Sequence, residues 1–128
     1  MINLTINEII LLHEKLLIKT GGMSGIRDFN MLESAVYSVM QCFGEQEFYS
    51  TPCERAARLA FAIIKNHPFY DGNKRIGILV LLMTLKLNHI TIQYTQQELI
   101  LLGLSIADGT LNYTEIVNWI ELHSNESF

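Results

Sequence analysis

A histidine, a carboxylate and two cations lie within nine residues, in the stretch HPFYDGNKR that covers residues 67–75. A segment with the pattern of a helix, residues 54–66, precedes this stretch, and an almost wholly apolar segment, residues 76–85, follows it. A helix N-terminus presents unpaired N–H groups and a partial positive charge, and it therefore binds anions without the help of any side chain. The sequence predicts an anion-binding loop at the start of a buried helix.

Four consecutive residues of this loop predict a site for phosphate groups. Gly72 and Asn73 can adopt turn conformations in which successive backbone N–H groups point inward, and Gly72 allows a phosphate to approach the backbone closely. Lys74 and Arg75 add two positive charges at the same place. We therefore expect a polyanionic ligand such as a nucleotide phosphate.

Three further residues of this stretch suggest separate roles. Asp71 would repel phosphate unless a divalent cation lay between them, so we predict that it is a ligand of Mg²⁺. His67 can accept a proton from a hydroxyl nucleophile at neutral pH. We expect Phe69 to anchor the loop by pointing into the core. Each residue also has an ordinary interpretation, because histidines often bond at helix ends and Asp-Gly-Asn often forms a simple turn.

Composition restricts the class of protein. The chain has 128 residues, of which 49% are hydrophobic, and a net charge of -4, so we expect one globular domain over residues 1–128 and no direct contact with nucleic acid. Cys42 and Cys53 are too few to staple a chain of this size, and the N-terminus does not resemble a signal peptide. The longest apolar run, residues 76–85, is much shorter than the roughly 20 residues that span a bilayer. We expect a cytoplasmic protein that does not contact a membrane.

Periodicity and capping signals predict a compact all-α bundle of about six helices around one buried central helix, residues 73–88. We expect residues 43–50 to form a short loop or hairpin. Helical spacing indicates Leu104 as a core residue, and Met31 and Met40 are predicted to fill gaps in the core. The predicted helices are 5–18, 30–41, 51–66, 73–88, 95–109 and 112–123.

The stretch 67–75 resembles the signature of the Fic/Doc superfamily, H-x-F-x-[DE]-[GA]-N-[GK]-R. Two upstream segments, Gly25-Ile26-Arg27-Asp28 and Leu32-Glu33-Ser34-Ala35, are similar to the N-terminal part of the death-on-curing (Doc) branch. The likeness thus extends over most of the chain, and the predicted six-helix bundle agrees with the fold of that family.

This resemblance implies an enzyme that transfers part of a nucleotide to a protein hydroxyl. His67 would be the general base, Asp71 would hold Mg²⁺, and Asn73 and Arg75 would grip the phosphates together with the loop amides. Residues 43–50, including Phe48 and Tyr49, would correspond to the flap of the family, which pairs with a segment of the target protein.

Two departures from the adenylylating members of the family bear on the reaction. Those enzymes usually have glycine at the position of Lys74 and a second arginine at the position of Ile78. Both differences favour the Doc branch. The resemblance to this branch implies an enzyme that moves the γ-phosphate of ATP onto a threonine of elongation factor Tu and so stops translation. An adenylyltransferase and a catalytically silent module that binds a nucleotide or an antitoxin-like peptide remain as alternatives.

Self-inhibited Fic proteins carry the string [ST]-x-x-x-E-[GN], whose glutamate blocks the ATP site. This string does not occur in the sequence. We therefore expect that a separate antitoxin protein inhibits this one, with a segment that fills a groove near the site.

Overall fold

Most helices begin where a short polar side chain accepts a hydrogen bond from the free N–H groups of the first turn. Thr5, Thr51, Thr95 and Asn112 do so in the computed structural model, which describes residues 1–124. This part of the chain is mostly helical, which confirms the predicted all-α fold. Its elements are α1 (Ile6–Thr20), α2 (Phe29–Ser38), β1 (Cys42–Phe43), β2 (Gln46–Glu47), α3 (Pro52–Asn66), α4 (Asn73–Leu87), α5 (Gln96–Ala107) and α6 (Tyr113–His123).

The N-cap of helix α2 lies two residues before Asn30, the residue predicted to open this helix. Its N-cap is Asp28, whose Oδ1 accepts from the Met31 N–H at 3.2 Å, and Asn30 already lies inside the helix. The Asp28 N–H in turn donates to the carbonyl of Pro68 at 3.0 Å. Asp and Asn are equally good caps, so this long-range backbone contact determines which of the two opens the helix.

Helix α4 is the central element, as predicted from its apolar character on all sides. One side of it packs into a core with α1, α2 and α3, and the other side packs into a core with α3, α5 and α6. Gly77 permits the closest approach to α3, since a Cβ at this position would lie 2.5 Å from Ile64 Cγ1. No helix within residues 1–124 is long and apolar enough to cross a membrane.

Three predicted core residues are exposed: Leu104 by 47%, Met31 by 40% and Met40 by 45%. Helix α5 packs on α4 through Leu102 and Ile106. Leu104 is two residues from each of them, about 200° around the helix axis, and therefore faces away from that contact. Helical spacing shows that an apolar residue could lie on the buried face of its helix. The packing of the neighbouring helices decides which face of the helix is buried.

Candidate functional site

The loop that carries the predicted site connects α3 to α4 and begins and ends in a left-handed backbone conformation. His67 terminates α3 with φ 53° and ψ 54°, and Gly72 precedes α4 with φ 76° and ψ 17°. Pro68 disfavours further helix directly after His67 because its ring restricts the preceding residue. At Gly72, a Cβ would also lie 3.2 Å from Leu17 Cδ2, so glycine suits the position for two reasons.

The side chain of Asn73 shapes this loop from within. Its Oδ1 accepts from the Phe69 N–H at 3.0 Å, and its Nδ2 donates to the Phe69 carbonyl at 2.9 Å. Asn73 is 4% exposed and Phe69 is fully buried. The amide of Asn73 is therefore occupied by the loop backbone, and it is the backbone N–H of this residue that remains for a ligand.

A buried histidine of α1 supports the same loop. His13 Nε2 donates to the Asp71 carbonyl at 2.8 Å, and its ring stacks on Phe69 with 3.8 Å between the ring centroids. Sequence reasoning did not connect His13 with the site. The available signal was its position four residues from both Ile9 and Leu17, which places a polar ring on the buried face of α1.

Asp71 is held as an ionised carboxylate at the edge of the loop. Its Oδ2 accepts from the Met23 N–H at 3.1 Å and its Oδ1 from the Gly72 N–H at 2.8 Å. These two N–H groups, in that order, lower the pKa of Asp71, and the nearby guanidinium of Arg75 lowers it further. A Cβ at Gly22 would lie 2.6 Å from Asp71 Oδ2, so the chain passes close to the carboxylate.

Arg75 joins the start of α4 to the end of α1. Its guanidinium donates to Thr20 Oγ1 and to the Gly21 carbonyl at 3.2 Å, and it lies 3.5 Å from Asp71 Oδ1. A cation at this place is favourable because the last carbonyls of α1 carry a partial negative charge. The side chain is 39% exposed, and part of it still faces the cavity described next.

A cavity of about 230 Å³ brings the polar residues of the motif together. Its walls also contain three residues that the sequence did not suggest, namely Ile64, Tyr70 and Ala107. Phe69 lies beneath the loop and not in the cavity wall. The motif residues that line the cavity are His67, Asp71, Gly72, Asn73, Lys74 and Arg75.

The positive end of α4 opens toward this cavity. Among the helices of residues 1–124, α4 alone has no side chain that caps its N-terminus, and its first turn contains no acidic residue. The backbone N–H groups of Asn73, Lys74 and Arg75 have no partner within the helix, because the first such bond is made by Ile76 to the Gly72 carbonyl at 2.8 Å. Unpaired N–H groups and two cations at one helix end are suited to bind a multiply charged anion.

The predicted flap does not lie beside this cavity. Strands β1 and β2 form an antiparallel hairpin that is held by Arg55, which donates to the Tyr49 carbonyl at 2.7 Å and to the Glu47 carboxylate at 3.0 Å. Arg55 precedes His67 by 12 residues along α3, which corresponds to about 18 Å of helix. Phe48 is exposed, and the Tyr49 ring packs edge-on against Tyr113 of α6.

The segment that does flank the loop is residues 21–26. The Gly25 carbonyl accepts from the Tyr70 N–H at 3.3 Å, and Ile26 forms an isolated antiparallel bridge with Phe69. Together with the bond from Met23 to Asp71, these contacts place an extended stretch of backbone along the edge of the site. The antiparallel arrangement of α2 and α3 carries the hairpin, and with it Phe48 and Tyr49, to the far end of the bundle.

The fold and the site together define a helical protein with a polar cavity of about 230 Å³ at the start of its central helix. A model of the Fic/DOC family matches residues 3–85, which include α1, α2, α3, the whole loop and most of α4. The chain belongs to the Fic/DOC family. Members of this family are typically transferases that act on proteins. No curated protein matches the sequence.

Proposed function

We propose that this protein is a Doc-like toxin that transfers the γ-phosphate of ATP to a protein hydroxyl, with a threonine of elongation factor Tu as the expected acceptor. Arrest of translation is the expected consequence. The observation that carries the proposal is the uncapped, cation-flanked N-terminus of α4, which shares one cavity with His67 and Asp71.

The phosphates of ATP would bind at the first turn of α4. The backbone N–H groups of Asn73, Lys74 and Arg75 would donate to phosphate oxygens, and the exposed ammonium of Lys74 would neutralise charge on the transferred group. Arg75 is fixed by its bonds to α1, so its guanidinium is positioned before the nucleotide arrives.

Asp71 fits the role of a magnesium ligand. Its side chain is 46% exposed, and Oδ2 accepts one backbone hydrogen bond, which leaves a lone pair for a cation. Mg²⁺ is commonly held by one or two carboxylates together with the phosphates of the substrate and water, and it neutralises negative charge on those phosphates. The lowered pKa of Asp71 keeps the carboxylate ionised at neutral pH.

His67 would act as the general base. The acceptor hydroxyl oxygen forms a bond to the γ-phosphorus as the bond between that phosphorus and the bridging oxygen of ADP breaks, and the hydroxyl proton passes to the imidazole. The side chain of His67 is exposed in the cavity wall, as such a role requires. We assign target docking to residues 21–26 instead of Phe48 and Tyr49, because this segment borders the cavity.

Two residues favour phosphoryl over adenylyl transfer. Lys74 occupies the position where the adenylylating members have glycine, and there it reduces the space for a diphosphate in the adenylylating orientation. Ile78 replaces their second arginine, and it is buried at 7% exposure, 3.4 Å from the position of a Cβ on Gly103. That part of the site is therefore apolar. Adenylyl transfer, with ATP bound in the reversed orientation, is the second candidate, and a silent binding module is the third.

We also propose that a separate antitoxin restrains the enzyme by filling a groove of about 390 Å³ beside the first turn of α4. Helices α1 and α5 both pack on α4 but not on each other, so the groove lies between them. Lys74 and Arg75 border one end of it, where an acidic group of the antitoxin would bind. The apolar lining includes Leu16, Leu79, Leu82, Leu99, Ile100 and Leu104.

The test is to incubate the purified protein with elongation factor Tu, or with a cell lysate, and ATP labelled at either the γ- or the α-phosphate. We expect label from γ-ATP only, and mass spectrometry should show the mass of a phosphoryl group on the target. Label from α-ATP would establish adenylyl transfer instead, and label from neither would support the silent module.

Three variants sharpen this test. His67→Ala should abolish transfer, and Lys74→Gly should weaken it. Leu104→Glu changes an exposed residue of the groove, so it should leave transfer intact but prevent inhibition by the proposed antitoxin. Full transfer by His67→Ala would contradict the assignment of the base, and normal inhibition of Leu104→Glu would contradict the assignment of the groove.

A further inference from the structure

The proposed base sits on a backbone conformation that needs support. His67 and His89 are the two residues other than glycine with positive φ in residues 1–124. A left-handed conformation is unfavourable for a residue with a Cβ. The last carbonyls of α3 also have no partner within the helix. Some other group must compensate for both effects if the imidazole is to keep one orientation.

Arg27 supplies that compensation. Its Nε donates to the His67 carbonyl at 2.7 Å, and one terminal nitrogen donates to the Asn66 carbonyl at 3.1 Å. Its backbone N–H donates to the Pro68 carbonyl at 2.7 Å. A single residue from the connection between α1 and α2 thus binds three successive carbonyls at the end of α3. Its positive charge also lies at the negative end of that helix, where it is favourable.

The planar guanidinium is well suited to this geometry. Two of its donors point in fixed, diverging directions and reach two carbonyls at once, whereas the ammonium of a lysine is a single point of charge on a flexible stem. The His67 N–H is also engaged, since it donates to the Ile63 carbonyl at 3.1 Å. The backbone of His67 is therefore held on both sides, and only its side chain is left free to act.

We propose that Arg27 is a positioning residue for the transfer reaction, which holds the backbone of His67 so that the imidazole faces the acceptor hydroxyl. This inference rests on the proposed function. Arg27 does not line the cavity and is assigned no contact with the nucleotide or the target. Its loss should therefore affect the rate of the chemical step more than the binding of ATP.

Kinetics of Arg27→Met, Arg27→Lys and the control Lys65→Met test the proposal. Lys65 is an exposed cation in the last turn of the same helix and does not line the cavity, so Lys65→Met should behave as the wild type. We expect kcat to fall about 10- to 100-fold in Arg27→Met, with the KM for ATP changed less than about threefold, because small misplacement of a catalytic group costs rates of this order. The kcat of Arg27→Lys should be intermediate.

Millimolar guanidinium should partly restore the kcat of Arg27→Met and should not restore that of His67→Ala. A wild-type kcat in Arg27→Met would overturn the proposal, even if its thermal stability were reduced.

A second measurement keeps the inference separate from the function on which it rests. NMR of the free protein reports the Cα chemical shift of His67 and the hydrogen exchange of its amide. Both should change in Arg27→Met and stay constant in Lys65→Met. If the wild type transferred no label, the proposed function would fail, and the NMR comparison would still decide whether Arg27 positions His67. Unchanged His67 signals in Arg27→Met would overturn that positioning role.

Discussion

Replacement of Asn73 by alanine separates two roles that the sequence does not distinguish. A side chain that grips phosphate contributes to nucleotide binding but little to the stability of the free protein. A side chain that shapes the loop contributes to stability even when no nucleotide is present. In the structure both polar groups of the Asn73 amide bind the backbone of Phe69. We therefore predict a large loss of stability.

The magnitude follows from the groups left without partners. Asn73→Ala leaves one N–H and one carbonyl of the buried Phe69 unpaired, and each unpaired buried group costs about 1 to 3 kcal/mol. Alanine regains about 0.5 kcal/mol through its higher helix propensity at the start of α4. The net loss should be about 2 to 5 kcal/mol, a large part of the roughly 5 to 15 kcal/mol that stabilises a typical domain.

Urea denaturation monitored by circular dichroism measures this difference, and the slope m should stay constant if only stability has changed. Asn118→Ala is the control, because Asn118 is exposed on α6 and its replacement should change stability by less than about 0.5 kcal/mol. The reasoning would be refuted if Asn73→Ala changed the free energy of unfolding by less than about 0.5 kcal/mol and at the same time weakened nucleotide binding. The amide would then act on phosphate and not on the loop.

Three further predictions concern the same loop and the helices beside it. His67→Gly should abolish transfer yet raise the free energy of unfolding by about 0.5 to 1 kcal/mol, since glycine adopts the left-handed conformation without strain; lower stability in urea denaturation would contradict this. Gly77→Ala should lower stability by about 1 to 3 kcal/mol, because the new Cβ would lie 2.5 Å from Ile64 Cγ1; a neutral effect on thermal unfolding would show that the two helices separate easily. The pKa of Asp71 is lower in the folded protein than in the unfolded chain. The ionised carboxylate therefore stabilises the fold at a pH above the ordinary pKa of an aspartate, and this stabilisation is lost as the pH falls through the lower pKa of the folded state. The stability difference between wild type and Asp71→Asn should therefore be greatest at neutral pH and shrink in acid, and a difference independent of pH would argue against these contacts.

Much of the architecture is readable from local sequence. The threonines at positions 5, 51 and 95 cap helices where their spacing to a glutamate predicts, because capping involves groups only three residues apart. The central position of α4 follows from its composition alone, since a helix that is apolar on all sides must be surrounded. The cluster of His67, Asp71, Lys74 and Arg75 is also local, and the structure places it in one cavity.

Other features depend on residues that are distant in sequence. Asp28 replaces Asn30 as the cap of α2 because the Asp28 N–H donates to the Pro68 carbonyl. The hairpin lies far from the loop because α2 and α3 run in opposite directions. The amide of Asn73 turns inward because Phe69 is drawn into the core, where its ring stacks on His13.

The sequence alone predicted the motif residues of the candidate site, because a short motif at a helix start specifies a backbone turn, unpaired N–H groups and charge together. Only the tertiary structure decided what supports that site. His13 and Arg27 are 58 and 40 residues away from the carbonyls that they bind, those of Asp71 and His67. No periodic pattern encodes such pairs, since they form only when α1 and the segment after it pack against the loop between α3 and α4.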